Sequence, residues 1–143
     1  MKYAQYYKCA LQVNPSAYSK YRGKDKIDEL EYNEQILNVC KEENIKVVGL
    51  ADHGSVERSE SLRKLLIDND ILVFPGFEIS TAEKIHIVCL FSPETDANEL
   101  NRILGQLGMP EIKNGTEKSN LSCIDIAKKI AENDGFWYAA HIT

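Results

Sequence analysis

The sequence predicts an α/β fold with a largely parallel sheet, and three observations lead there. Apolar, strand-like runs alternate along the chain with longer segments whose apolar residues recur at helical spacing, the pattern of right-handed βαβ crossovers. Several of the strand-like runs stop at residues that ligate metals or exchange protons: Lys46-Val47-Val48-Gly49-Leu50 runs into Ala51-Asp52-His53-Gly54, residues 71–77 into Glu78, and residues 136–140 into His141. In α/β proteins chemistry gathers outside the carboxyl ends of the strands, because loops there carry the reactive groups while the strands hold their stems. Finally, 143 residues with 43% hydrophobic content suffice for one domain with a sizeable core.

The elements follow in order. Residues 7–14 read as the first strand, closed by Pro15, which cannot donate to a continuing ladder. Residues 16–24 read as a polar loop. Between residues 25 and 44, Ile27, Leu30, Leu37 and Cys40 fall at helical spacing, with acids and amides opposite, so this segment is expected to lie on the sheet as a helix. The strand into Asp52-His53 comes next, then a helix marked by Leu62, Leu65 and Leu66 that ends near Asn69-Asp70. Residues 71–80 form another strand, bent at Pro75-Gly76.

In residues 85–91 side chains alternate, so His86 shares a face with Val88 and Leu90. Pairing of this strand with the preceding one as a hairpin would bring Glu78 and His86 together. Leu100, Ile103, Leu104 and Leu107 define a third helix, stopped by Gly108 and Pro110. After a polar loop over residues 113–120, Ser122 and Asp125 open a fourth helix by capping-box logic. Ile124, Ala127, Ile130 and Ala131 are expected to supply its buried face, and Gly135 closes it. The last strand ends at His141.

No stretch approaches the roughly 18 consecutive apolar residues of a membrane span, and the first residues lack the apolar core of a signal peptide, so a cytoplasmic protein is expected. The net charge of −5 argues against a broadly basic nucleic-acid surface; Lys20, Arg22, Lys24 and Lys26 make a local basic patch that reads as a solvated loop. Cys9, Cys40, Cys89 and Cys123 include no C-x-x-C pair, which leaves a zinc ribbon or a thioredoxin-type motif unsupported and makes free buried thiols the economical assignment.

Taken singly, a histidine on a strand is a satisfied core residue, a glutamate before a turn is a solvated end, and Asp-His-Gly is an ordinary turn. Together, His53, Glu78, His86 and His141 include every histidine of the sequence, all within or at the ends of strand-like segments. Imidazole and carboxylate are the ligands that zinc, manganese and iron share, and metals bridged by carboxylate commonly hydrolyse phosphate esters.

The order of these motifs resembles the PHP family, the polymerase and histidinol phosphatase domain, a distorted (β/α)7 barrel with a three-metal phosphoesterase site. Ala51-Asp52-His53 is similar to the family's Thr-Asp-His, Gly76-Phe77-Glu78 to its Gly-x-Glu, His86 to the histidine of the next strand, and His141 to a later histidine. The resemblance covers nearly the whole chain. It implies catalytic roles for Asp52 and His53, a metal position formed by Glu78, His86 and His141, a further position served by His53, and divalent zinc, manganese or iron as cofactors.

Two departures qualify it. Where the family has His-x-His, this chain has Gln12-Val13-Asn14, whose neutral amides are poor ligands for transition metals. The family's closing Asp-x-His motif does not occur before Thr143. A closed barrel of eight β/α units takes roughly 250 residues, so residues 1–143 read as a PHP-like domain truncated at its C-terminus, a partial (β/α) barrel resembling the first half of the family's barrel. The remainder of a longer polypeptide would be its partner, and exposed sheet edges would favour self-association of the fragment. The opening Tyr7-Lys8-Cys9-Ala10-Leu11-Gln12 is more like the PHP domains at the N-terminus of large ATPases, including TrlF-type proteins linked to nucleic-acid processing or defence.

The leading expectation is therefore a metal-dependent phosphoesterase acting on a phosphomonoester or a nucleic-acid phosphodiester, incomplete in this chain. The alternative is a degenerate, non-catalytic PHP module with a structural or regulatory role in a larger nucleic-acid-processing ATPase. A nucleotide-binding domain ranks last, since neither G-x-x-x-x-G-K-[ST] nor G-x-G-x-x-G is present.

Overall fold

The computed structural model describes residues 4–21, 27–53, 55–109 and 118–141. Gly54, the basic residues Arg22, Lys24 and Lys26, Pro110 and most of the 113–120 loop lie outside the described residues. Strand β1, Lys8–Val13, pairs in parallel with β2, Ile45–Leu50, which pairs in parallel with β4, Leu72–Phe74. A second ladder holds β3, Asp52–His53, then β5, Gly76–Ser80, β6, His86–Leu90, and β7, Phe136–Ala139.

The two ladders are continuous along the chain, because β3 follows β2 past Ala51 and β5 follows β4 past Pro75. The register keeps the same offset across the break, with Gly49 facing Phe74 before it and Asp52 facing Phe77 after it. The break has a local cause: Pro75 has no N–H to give a ladder. Gly76 is equally constrained, since a Cβ there would stand 1.9 Å from the Cys89 carbonyl oxygen on β6.

The α/β class is as the sequence predicts, but the sheet is mixed where a largely parallel one was expected. The β5–β6 pair is the antiparallel hairpin anticipated above, and β6–β7 is antiparallel too. Two helices, α4 (Ala97–Gln106) and α5 (Cys123–Glu132), lie between β6 and β7 and bring the chain back to the end of the sheet that it left, where Phe136 at the start of β7 faces Leu90 at the end of β6.

Earlier in the chain, α1 (Ser16–Tyr21) forms where a polar loop was expected. The Tyr18 N–H bonds to the Pro15 carbonyl, so Pro15, read only as a strand terminator, also starts a helix, where its missing N–H costs nothing. Helix α2, Glu29–Glu42, is capped by Asp28, whose carboxylate accepts the Leu30 N–H. A short 3₁₀ turn, Glu57–Ser59, leads into α3, Glu60–Ile67.

The sheet buries one face under these helices. Leu37 and Cys40 of α2 with Leu62 and Leu66 of α3 cover Val48, Leu50 and Val73, while α4 and α5 place Leu100, Ile103, Leu104, Ile126 and Ile130 over Phe77, Ile79, Ile87 and Cys89. Truncating a fully buried member such as Leu62 or Ile126 to alanine costs about 2–5 kcal/mol. Strand alternation puts Ala51, Val88, Leu90 and Ala140 on the other face, with Phe74 and Tyr138 beside them. The sheet curls around this second face: the Tyr138 hydroxyl on β7 donates to the Leu11 carbonyl on β1 at 3.0 Å. A Cβ on Gly49 would meet that same carbonyl oxygen at 2.6 Å. Among the described residues the curl does not close into a barrel.

Several side chains depart from the sequence expectation. In α2 the buried stripe is Asn33, Leu37 and Cys40, and Leu30 is exposed, because the inward face is fixed by the Asn33 amide donating to Ser61 at the start of α3. In α5 the Ser122 cap forms, yet Ile126 and Ile130 are buried while Ile124 and Ala131 face outward. Cys40 and Cys89 are buried and their thiol pKa values are raised by desolvation, whereas Cys9, on the sheet edge, is exposed and Cys123 half-buried. No helix among the described residues is long and apolar enough to cross a membrane.

Candidate metal centre

Strand register assembles the site on the curled face. His53 on β3 lies directly opposite Glu78 on β5. On the other side of β5, Ser80 faces His86 and Glu78 faces Val88, so Glu78 and His86 are diagonal neighbours on one face, within reach of long side chains. The His86 Nδ1 stands 2.5 Å from Glu78 Oε1 and the His53 Nε2 3.4 Å from the same oxygen. Ligand atoms of His53, Glu78 and His86 all lie within 4.8 Å of one another.

His141 reaches the same oxygen from the rim. It follows β7 with φ at 54°, in the left-handed region, and its Nε2 is 3.7 Å from Glu78 Oε1. The preceding residue is anchored, since the Ala140 N–H donates to the His86 carbonyl at 2.8 Å. The tight group is thus Glu78 and His86 with His53, where the resemblance implied Glu78 and His86 with His141. The reason is the ladder: His53 is the register partner of Glu78, whereas His141 stands beyond the end of its strand.

Burial opposes ionisation of Glu78, whose side chain is only 1% exposed. Hydrogen bonds from His53 and His86, and the attraction of these rings when protonated, outweigh that opposition and hold its pKa at about 2. The centre therefore contains a fixed buried anion facing three imidazoles. The second carboxylate oxygen, Oε2, accepts a 2.7 Å hydrogen bond from the Gln12 amide on β1. Among the described residues, the Asn14 side-chain oxygen is buried without a hydrogen-bond partner, and so is His53 Nδ1.

Asp52 does not join this group. Successive strand residues point to opposite faces, and its carboxylate turns to Arg58, whose Nε is 3.0 Å from Oδ2. That N–H is not aligned on the oxygen, so Oδ2 has a charge partner but no hydrogen bond. Oδ1 accepts the His53 backbone N–H at 2.8 Å. Burial raises the Asp52 pKa, against the pull of the Arg58 charge and of His53. The direct catalytic role implied for Asp52 finds no geometry here: it touches the centre only through the backbone of His53.

Two contributors were not singled out from the sequence. Tyr18 stacks on the His53 ring, centroids 4.3 Å apart and planes 8° from parallel, and Arg58 holds Asp52. The Asn14-Pro15-Ser16 helix start is the signal that could have placed Tyr18 beside β3. Arg58 carries no comparable signal, since it acts from a 3₁₀ turn without a sequence pattern of its own.

The donor set fits a divalent cation. An ionised carboxylate and two imidazoles within mutual reach are ligands that zinc, manganese and iron share.

No family model and no curated protein matches the chain. Among solved structures it is similar to the lesion-specific endonuclease PfuEndoQ from Pyrococcus furiosus, with a TM-score of 0.64 and 16% identity over 94% of this chain. The match covers 34% of the endonuclease, so this chain spans about a third of that protein's length. At that identity the likeness establishes the fold, and it supports a PHP-like α/β fold in line with the motif order.

Proposed function

We propose that this chain is the metal-binding portion of a PHP-like, metal-dependent phosphoesterase that hydrolyses a phosphomonoester or a nucleic-acid phosphodiester. The observation that carries the reading is the convergence of His53, Glu78 and His86 on one face of a sheet folded like that of a lesion-specific endonuclease. In this reading the curled sheet is part of a larger (β/α) barrel, and residues from the rest of that barrel complete the site.

Glu78, His53 and His86 would hold the cation, with zinc, manganese and iron as candidates, and His141 would contribute from the rim. When bound, such a cation polarises a phosphoryl oxygen and lowers the pKa of water from 15.7 toward about 7. The chain's own residues supply the setting. Glu78 stays ionised at neutral pH and gives the centre its negative charge. Tyr18 fixes the plane of the His53 ring, and Asp52 fixes its backbone through the 2.8 Å hydrogen bond. Asp52 is thus a positioning residue in this scheme, and His53 is the one that touches the reacting centre.

A second reading, a non-catalytic module with a structural or regulatory role, is favoured by one observation: a neutral amide, Gln12, occupies Glu78 Oε2. The two are separated by assaying 4-nitrophenyl phosphate, bis(4-nitrophenyl) phosphate and intact or damage-bearing DNA with manganese or zinc. Cation-dependent turnover lost in His86→Ala supports the phosphoesterase. Cation binding with no turnover on any of these, in a protein that includes the remainder of the polypeptide, supports the module.

A further inference from the structure

The geometry points to Gln12 as a positioning residue that divides the two oxygens of Glu78, locking Oε1 toward the imidazoles and withdrawing Oε2 from the ligand set, so that the centre takes one divalent cation per chain. Its metal-binding consequence rests on the function proposed above; the hold of Gln12 on Glu78 does not.

The division is visible in the contacts. Oε1 collects His86 Nδ1 at 2.5 Å, His53 Nε2 at 3.4 Å and His141 Nε2 at 3.7 Å. Oε2 has the Gln12 amide at 2.7 Å. A buried carboxylate oxygen without a donor carries its full desolvation penalty, so the amide both satisfies Oε2 and sets the rotation of the carboxylate plane. The amide nitrogen has no lone pair to offer a metal and no charge to exchange. In the bidentate bridging mode a carboxylate gives one oxygen to each of two cations, and here one oxygen is already engaged by a neutral donor on β1, which closes that mode. Gln12 lies in an irregular stretch of β1 that is held on both sides, by Ala10 opposite Val48 and Val13 opposite Leu50, and the Leu11 carbonyl beside it accepts the Tyr138 hydroxyl of β7.

Partners around first ligands fix their orientation, and their loss weakens metal binding by about 10–100-fold. Gln12→Met keeps the length of the side chain and removes the donor. The test has two arms on the same proteins. In chelator-treated protein, Gln12→Met is expected to lower Tm, and the same change is expected to cost nothing in a Glu78→Met background, where no oxygen is left to satisfy. If Gln12→Met does not fold while the double variant does, the coupling is the same. In calorimetric titration with manganese, the wild type is expected to bind one ion per chain and Gln12→Met to bind it about 10–100-fold more weakly.

Additive Tm losses, unchanged manganese affinity in Gln12→Met, or two ions per wild-type chain would each overturn the inference. If the wild type binds no cation while the Tm coupling persists, the metal-dependent function fails and the hold of Gln12 on Glu78 stands.

Discussion

His53 and Glu78 are direct register partners across parallel strands β3 and β5, and their side chains meet on the curled face with Nε2 3.4 Å from Oε1. Half of the candidate centre is thus built into a ladder and does not depend on a loop. With His86 on the diagonal of the next strand, three donors are placed by backbone pairing alone. Such a centre should keep its geometry before any ion arrives, which limits the ordering cost of binding.

The histidines should not be equivalent. His86 stands 2.5 Å from Glu78 Oε1, while His141 is 3.7 Å away and its side chain is 63% exposed. His86→Ala is expected to weaken manganese or zinc binding by more than about 100-fold, beyond what loss of an outer partner costs. His141→Ala should weaken it by about tenfold or less. Titration calorimetry of the two variants checks the order, and equal losses would contradict it.

His141 also carries a conformational cost, since its φ of 54° is left-handed. A non-glycine residue there costs about 1–2 kcal/mol, and glycine adds about 0.4–1 kcal/mol of unfolded-state entropy to be lost on folding. His141→Gly is therefore expected to fold with unchanged or slightly higher Tm, unlike His141→Ala, which keeps the strain. Thermal melts of both variants decide this.

Gly76 and Gly105 make a matched pair. An alanine Cβ at Gly76 would stand 1.9 Å from a β6 carbonyl oxygen, whereas one at Gly105, inside α4, meets nothing within 4 Å. Gly76→Ala is expected to cost about 3 kcal/mol or more and to displace Glu78, two residues on. Gly105→Ala should gain about 0.5–1 kcal/mol from helix propensity. Urea denaturation of the two proteins gives both signs.

Asp52 has a pKa raised above its ordinary value of 3.8, because burial outweighs the Arg58 charge and the hydrogen bond from His53. A raised carboxylate pKa means that the folded chain binds the proton more readily than the unfolded one. The ionised form therefore costs stability above pH 3.8, and that cost vanishes as pH falls below it. Asp52→Asn, which keeps an acceptor for the His53 N–H, is expected to raise Tm at pH 7 and to lose its advantage by pH 3. Arg58→Ala should lower Tm at pH 7.

Much of this arrangement was legible in the sequence. The apolar run into Asp52-His53 and the alternation around His86 gave the strands, and with the Pro75-Gly76 bend they placed Glu78 beside His86. What was not legible depends on phase and on contacts between distant segments. Leu30 and Ile124 fit a helical period as well as their buried neighbours do, and only the partners of Asn33 and Ile126 choose the face. The role of Gln12 was invisible because residue type alone marks it as a poor ligand, while its 2.7 Å bond to a residue 66 positions away requires the curl of the sheet. Tyr18 was missed because the Pro15 signal was spent on ending a strand.

The central claim is that His53, Glu78 and His86 hold one divalent cation, and anomalous diffraction from a crystal soaked in manganese or zinc tests it most directly. The account predicts one anomalous peak about 2.0–2.2 Å from Glu78 Oε1 and from an imidazole nitrogen of each of His53 and His86. A crystal that shows no peak there at saturating metal, or a peak bound only by other residues, would contradict it.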